Sequence, residues 1–294
     1  GGLVSASQEA DPVMHVGEDS READAHVNED GGSESKSNGE DASLLPENGL
    51  DGMSLTAERK AAMVDCLFSA QKLLESSSLA EDAASIALAH LREPRRLYRF
   101  LCVSDFDPTA AAQMLVDYAG YCANGLRPAS AEAAAVILSA GLVEVIPERD
   151  LEGRAVLLVR DVRVLGELLQ THTLEEVAAA HLWLLEERVL VDDVIQECGV
   201  SIVQDLSELS FRLMLQLSQP STLLCQLRFA RFLTTAFPCK WGHLVVVDAP
   251  SSISMVWPAL RSVFPTSLAE SVKFLCRPES AAELHKLLGF HVLA

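Results

Sequence analysis

The feature that most constrains this chain is a pair of short β-branched runs with a long apolar helical stretch between them. The runs are Val200–Asp205 and His243–Asp248, and the stretch extends from Leu213 to Phe237. Each run is largely apolar without alternation, which is typical of a strand buried on both faces. A strand, a crossover helix and a second strand form the unit of a parallel sheet. The sequence therefore predicts an α/β fold with a mostly parallel sheet floor and flanking helices.

Further elements extend this unit in both directions. An apolar helix is predicted over Ile253–Phe264, followed by a third strand at Ser271–Cys276. Upstream, Leu142–Ile146 is a candidate edge strand, and Gly153 begins a turn into another strand. The pair Thr173 and Glu176 has the spacing of a capping box, which indicates the start of a helix that runs through Leu190.

Residues 53–124 have a different pattern and predict a small all-helical lobe in front of the α/β domain at 125–294. Apolar residues recur at helical spacing from Leu55 and again over Leu79–Leu91. Asp107 and Pro108 have the residue types preferred at a helix N-cap and first turn.

Residues 1–52 are predicted to be a disordered acidic tail. They contain 13 acidic residues against Arg21 and Lys36, which is −11 of the net charge of −19. So little apolar surface cannot offset the loss of chain entropy on folding. The tail is either a solvated linker or a docking segment for a protein partner.

Several classes of function are disfavoured. A net charge of −19 is unsuited to nucleic acid, because binding to phosphates requires clustered Lys and Arg. The sequence has no G-x-S-x-G nucleophile elbow, no H-E-x-x-H metal motif and no Gly-rich phosphate loop. Seven cysteines without C-x-x-C spacing predict reduced thiols in a cytoplasmic protein. We expect no catalytic residues, no metal and no cofactor.

Several motifs, taken in order, resemble the CRAL-TRIO family of lipid-pocket domains. Tyr98-Arg-Phe-Leu101 with Phe106-Asp107 resembles the entry into the family's helical lobe. Gly153-Arg-Ala-Val, Gln204–Ser210 and Leu244–Pro250 resemble motifs of its sheet, and Phe237-Pro238 precedes the last of these. The resemblance covers roughly residues 55–294. The chain begins without methionine and stops about where the family's last strand begins, so we expect a truncated chain.

The resemblance implies a lipid pocket between the sheet floor and the helices, closed by a mobile gate helix around residues 251–265. Arg228 and Arg261 occupy the slots where phosphatidylinositol-binding members have an acid and a lysine. Because Arg228 reverses the acidic charge, that type of headgroup binding is disfavoured. The predicted ligand-binding residues are Ser210, Leu213, Leu217, Leu224, Arg228, Phe232, Val245, Val247, Ile253, Val256, Trp257, Leu260, Arg261 and Phe264.

The resulting hypothesis is a non-enzymatic protein that binds a hydrophobic ligand or phospholipid and transfers it between membranes. It is expected to be cytoplasmic, with transient membrane association. Three alternatives stay open. The apolar residues of 211–264 can form an ordinary filled core, the same fold can serve as a protein-interaction scaffold, and the chain can be an α/β enzyme.

Overall fold

The computed structural model describes residues 55–77, 79–160, 162–251, 253, 257–258, 261, 266–276 and 280–290. The predicted acidic tail, 1–52, lies outside these residues, as does most of the predicted gate helix. Within them, the mixed α/β class with a preceding helical region is confirmed.

The centre of the fold is a five-stranded sheet in which the strands follow one another in chain order, β1-β2-β3-β4-β5. Strand β1 pairs antiparallel with β2, and every later pair is parallel. The β1 strand is therefore the predicted edge strand, and Pro147 in it, which cannot donate a ladder hydrogen bond, is tolerated at an edge. The strands are β1 (Val143–Arg149), β2 (Ala155–Val159), β3 (Val200–Asp205), β4 (Trp241–Val247) and β5 (Val272–Leu275).

The described part of residues 55–124 forms four helices, and the second and fourth begin near the predicted positions. Asp107 caps the fourth helix, accepting from the backbone N–H groups of Thr109 and Ala110 at 2.8 and 3.1 Å. Gly125 follows its end with φ of +95°, a conformation that glycine adopts without strain. The helices are α1 (Ala57–Ser76), α2 (Glu81–Leu91), α3 (Pro94–Val103) and α4 (Pro108–Ala123).

The helices that accompany the sheet differ from the prediction in two places. The predicted continuous stretch from Leu213 to Phe237 is two helices, because Pro220 starts a new helix at its first position. The helix predicted to run through Leu190 changes at Leu185–Val189 into one π-helical turn. The helices are α5 (Ala131–Leu138), α6 (Val162–Leu168), α7 (Leu174–Leu184), α8 (Asp193–Cys198), α9 (Phe211–Leu217), α10 (Pro220–Thr235), α11 (Thr266–Ser271) and α12 (Ser280–Leu288).

One apolar core connects the helical region with the sheet. Tyr118 of α4 lies against Phe232 of α10, with ring centroids 5.7 Å apart, and Phe232 lies equally close to Phe237. The same cluster includes Ala155 of β2 and Val200 of β3. The predicted boundary near residue 124 stays a prediction, and the two sides of it share this core.

All seven cysteines are free thiols, and five of them are buried. Burial raises the pKa of Cys66 and Cys102 to about 12, which leaves both thiols protonated at neutral pH. These residues behave as small apolar side chains in the core.

Candidate functional site

A cavity of about 280 Å³ lies on one face of the sheet, between the strands and three helices. Its floor is formed by residues of β1 to β4, which alternate along β2 and β3, and its walls by α6, α7 and α10. Ligand pockets typically occupy about 300 to 1,000 Å³, so this space lies just below that range. The lining residues are Leu142, Val143, Leu157, Val159, Val162, Leu165, Leu174, Val177, Ala178, His181, Leu184, Leu185, Ile202, Gln204, Cys225, Gln226, Phe229, Leu233, Trp241 and Leu244.

Helix α7 supplies the longest wall. Leu174, Val177, Ala178, His181 and Leu184 follow the i, i+3, i+4 spacing that places residues on one face of a helix. The predicted capping box begins this helix. Thr173 Oγ1 accepts from the Glu176 N–H at 3.2 Å, and the Thr173 N–H donates to the Glu176 carboxylate at 2.7 Å. Two hydrogen bonds thus position the start of the wall.

The polar groups of the cavity are few, and two of its side-chain donors are occupied by backbone carbonyls. Gln226 Nε2 donates to the Leu217 carbonyl at 3.0 Å, and Trp241 Nε1 donates to the Leu233 carbonyl at 2.7 Å. Burial raises the pKa of Cys225 to about 11, so its thiol is protonated at pH 7. His181 Nε2 is buried without a hydrogen-bond partner among the described residues. None of the described lining residues carries a formal charge at pH 7, since burial lowers the pKa of His181 to about 4.

The opposite face of the sheet, here called the solid face, is covered by a buried apolar cluster. Val156, Leu158, Val203, Val245 and Val247 alternate with the residues that face the cavity and are fully buried. They pack against Leu284 and Leu288 of α12.

The residues predicted to bind a ligand lie in separate parts of the structure. Val245 and Val247 lie on the solid face, because strand alternation turns them away from Leu244. Phe232 is part of the core shared with α4, and Leu213 packs with Val162, Leu206 and Val246. Leu217 lies at the edge of that second cluster.

The remaining predicted residues lie at the surface or near the predicted gate. The Ser210 hydroxyl caps α9 by accepting from the Leu213 N–H at 3.2 Å. Leu224 and Arg228 are exposed on α10, and the Arg228 guanidinium donates to the Asn124 carbonyl. Ile253 and Trp257 are half-buried and Arg261 is exposed.

Val256, Leu260 and Phe264 lie outside the described residues. No described member of the predicted set lines the cavity, and their role in binding stays a prediction.

The cavity-lining residues of α7 and β2 were not among the ligand-binding residues predicted from the sequence. One signal for them was present: His181 interrupts an otherwise apolar face of α7, since Val177, Ala178 and Leu185 flank it at helical spacing. A polar residue inside a buried stripe requires a partner or a ligand.

A second group of buried polar residues lies beside the cavity, at the π-helical turn. The Tyr118 hydroxyl donates to Glu186 Oε1 at 2.5 Å. Burial raises the pKa of Glu186, while Tyr118 and the nearby Arg99 and Arg96 act in the opposite direction. Arg96 also pairs with Glu187 at 2.9 Å. This group ties α3 and α4 to the turn that follows α7.

Two further properties concern the described part of the chain. None of its helices is long and apolar enough to cross a membrane. It also contains no cluster of three or more His, Cys, Asp or Glu side chains arranged to hold a metal ion.

With this geometry in place, comparison with known proteins gives the family. The model of the CRAL/TRIO domain matches residues 140–290, just over half of the 294 residues, and the chain belongs to that family. The predicted resemblance is thereby confirmed. The family consists of lipid-binding and lipid-transfer proteins rather than enzymes, which supports lipid binding or transfer as the general function.

Among solved structures, one titled "Crystal structure of Sfh5" is similar to this chain. The identity is 12%, the match covers 79% of this chain and 84% of that chain, and the TM-score is 0.49. No curated protein sequence matches the chain.

Proposed function

We propose that this protein binds an apolar ligand in the cavity beneath α7 and α10 and transfers it between membranes. The observation that carries the proposal is the cavity itself. It is bordered by the sheet and three helices, and its described lining is uncharged. The opposite face supports this interpretation, because its described side chains are buried against α12.

Burial of a hydrocarbon supplies the affinity. Each methylene moved from water into such a site contributes about 0.8 kcal/mol. A chain that fills the cavity gains several such increments without any charged contact. The site therefore requires no chemical step, only a way in and a way out.

The proposed way in is the gate around residues 251–265, most of which lies outside the described residues. Some of its residues are described, and one of them supports an attachment to the sheet. Within the segment, the Ile253 N–H donates to the Pro250 carbonyl at 2.8 Å. The Trp257 ring meets Phe274 of β5 edge to face, with centroids 5.1 Å apart. Movement of the gate would expose apolar side chains and the cavity together.

Contact with a membrane is proposed through exposed apolar residues on α9 and α10. Phe211, Leu215 and Leu224 have relative exposures of 69%, 54% and 67%. Other residues of α10 line the cavity, so this surface lies on the outer side of a cavity wall. A net charge of −19 opposes general attraction to anionic lipids, so insertion of apolar side chains is the expected mode. Arg228, Arg261 and Ser210 are proposed contacts for a polar headgroup at this outer side.

The primary test is native mass spectrometry of the protein purified from cells, followed by extraction and identification of bound lipids. We expect a co-purified apolar molecule. The matched variant is Ala178→Leu, which adds bulk to the lining of the cavity. The proposal fails if no lipid accompanies the protein in repeated preparations, or if Ala178→Leu carries the same amount.

A second test addresses the membrane surface. In a vesicle-to-vesicle transfer assay, Leu224→Asp is expected to slow transfer at least several-fold, since a charge resists insertion into lipid. Val136→Asp serves as the control, because Val136 is 61% exposed on α5 and does not line the cavity. Equal rates for the two variants would remove α10 from the docking surface.

The alternative function, a protein-interaction scaffold, predicts a different interior. A domain that only displays its surface to protein partners has no need for an internal space. The cavity therefore favours ligand binding, and the absence of any bound or bindable lipid would restore the alternative.

A further inference from the structure

The polar atoms of the cavity lining differ in whether the protein itself satisfies them. The side-chain donors of Gln226 and Trp241 are occupied by backbone carbonyls of Leu217 and Leu233. His181 Nε2 is buried and has no such partner among the described residues. A buried polar atom left in this state costs about 1 to 3 kcal/mol. A ligand that supplies the missing hydrogen bond recovers part of that cost.

A water molecule at this position would find no further side-chain partner on α7. A buried water molecule normally makes two to four hydrogen bonds to polar groups. The lining residues that flank His181 on α7 are Val177, Ala178, Leu184 and Leu185, and all are apolar. The position therefore suits an oxygen atom that is carried by an apolar molecule.

The charge of the ligand follows from the surroundings. Burial lowers the pKa of His181 to about 4, so the imidazole is neutral at pH 7. A phosphate or carboxylate placed beside it would lose its water without meeting a cation, because the described lining has no charged side chain. A neutral imidazole nitrogen either donates or accepts, and a hydroxyl complements both states.

We infer that His181 hydrogen-bonds the polar group of the ligand, and that this ligand is an uncharged, otherwise apolar molecule with a hydroxyl or carbonyl oxygen. The inference rests on the proposed function and sharpens it by naming the class of ligand and the residue that selects it. It separates such molecules from intact phospholipids, whose charged headgroup this part of the cavity does not accommodate.

The test uses two probes of nearly equal shape, nonane and octanol. Octanol differs from nonane in that a hydroxyl replaces one terminal methyl group. Their size suits the cavity, since 280 Å³ corresponds to roughly nine non-hydrogen atoms at about 30 Å³ each. Equilibrium binding to the full chain is measured by headspace gas chromatography, which reports the free concentration of a volatile ligand.

The variant is His181→Leu, which keeps an apolar side chain of similar size and removes the ring nitrogens. We expect the Kd of octanol to rise about tenfold and the Kd of nonane to change by less than about twofold. His181→Gln, which restores a polar atom, is expected to recover part of the octanol affinity. His172→Phe is the matched control, because His172 precedes α7 outside the cavity and hydrogen-bonds Thr171 at 2.9 Å.

The outcomes distinguish this inference from the proposed function. Binding of both probes, with equal losses or no loss in His181→Leu, overturns the role of His181 and leaves the cavity as a ligand site. Binding of neither probe to the unaltered protein overturns both. Retained nonane binding in His181→Leu shows that the variant is folded, so a selective loss of octanol supports the inference.

Discussion

The two faces of the central sheet are made by the same strands and are covered in different ways. On one face, Leu158 and its alternating neighbours interlock with Leu284 and Leu288 of α12. On the other, Leu157 and its neighbours border a cavity of about 280 Å³ beneath α7 and α10. The backbone is common to both faces, so the difference arises from the helices and side chains laid over it. Apolar composition alone does not determine whether a face is filled.

The largest expected effect comes from adjacent residues of β2 that point to opposite faces. Leu158→Ala is expected to lower the free energy of unfolding by about 2 to 5 kcal/mol, because it removes a fully packed side chain from the solid face. Leu157→Ala should cost less, because Leu157 already borders an empty space and has fewer contacts to lose. Chemical denaturation measures both. Equal costs would mean that the two faces are packed alike in solution.

The second expected effect is a dependence of stability on pH that originates at the cavity face. The pKa of His181 in the folded protein, about 4, lies below its unfolded value of 6.5, and burial is the cause. Its contribution is therefore present above about pH 6.5 and is lost as the pH falls towards 4. The loss is on the order of 3 kcal/mol at most.

His181→Leu isolates this contribution, since other groups also titrate over that range. The difference in unfolding free energy between the unaltered protein and the variant should change between pH 6.5 and pH 4. A difference that stays constant would show that the imidazole is solvated in the folded protein.

The third test places the same substitution at two positions of α7. Ala180 is fully buried in the packed cluster formed with α5, so Ala180→Leu is expected to destabilise by about 1 to 3 kcal/mol. Ala178 lines the cavity, so Ala178→Leu has room and should leave the unfolding free energy unchanged or higher. Thermal unfolding compares the two variants. Equal destabilisation would argue that the cavity does not persist in solution.

The smallest expected effect on the free energy of unfolding concerns the N-terminus of α7. Thr173→Ala removes the N-cap of α7 and should cost about 1 kcal/mol, whereas Thr173→Ser keeps the hydroxyl and should stay within a few tenths. Hydrogen exchange locates the change. Faster exchange is expected in the amides of α7 and not in those of α12. Equal acceleration in both helices would mean that α7 and α12, which cover opposite faces of the sheet, do not open independently.

Much of the fold could be predicted from local sequence. The strands at Val200–Asp205 and near Leu244 follow from nearly continuous apolar runs, and the capping box at Thr173 follows from its spacing. Helix boundaries were less predictable where two signals compete. The apolar pattern from Leu213 to Phe237 continues through Pro220, yet the missing N–H of proline favours a new helix start there.

The cavity could not be predicted in this way. Apolar residues look alike in a sequence whether they meet a neighbouring side chain or a void, so Val245 and Leu244 were indistinguishable. Their separation depends on the register of β4 and on which helix covers each face, and both are long-range properties. His181 was the exception, because a polar residue within an apolar helical face is visible locally.

The π-helical turn at Leu185–Val189 has a consequence for how this chain tolerates insertions and deletions. Leu185 lines the cavity, while the next residue, Glu186, reaches Tyr118 in the helical region. Such a turn contains one more residue than an α-helical turn. Deleting one residue of this turn would return it to α-helical spacing and would remove the local change of phase by which Leu185 meets the cavity while Glu186 meets the Tyr118 phenol. The connection between the cavity and the preceding helices thus depends on the number of residues in this turn. No point substitution could replace a deleted residue.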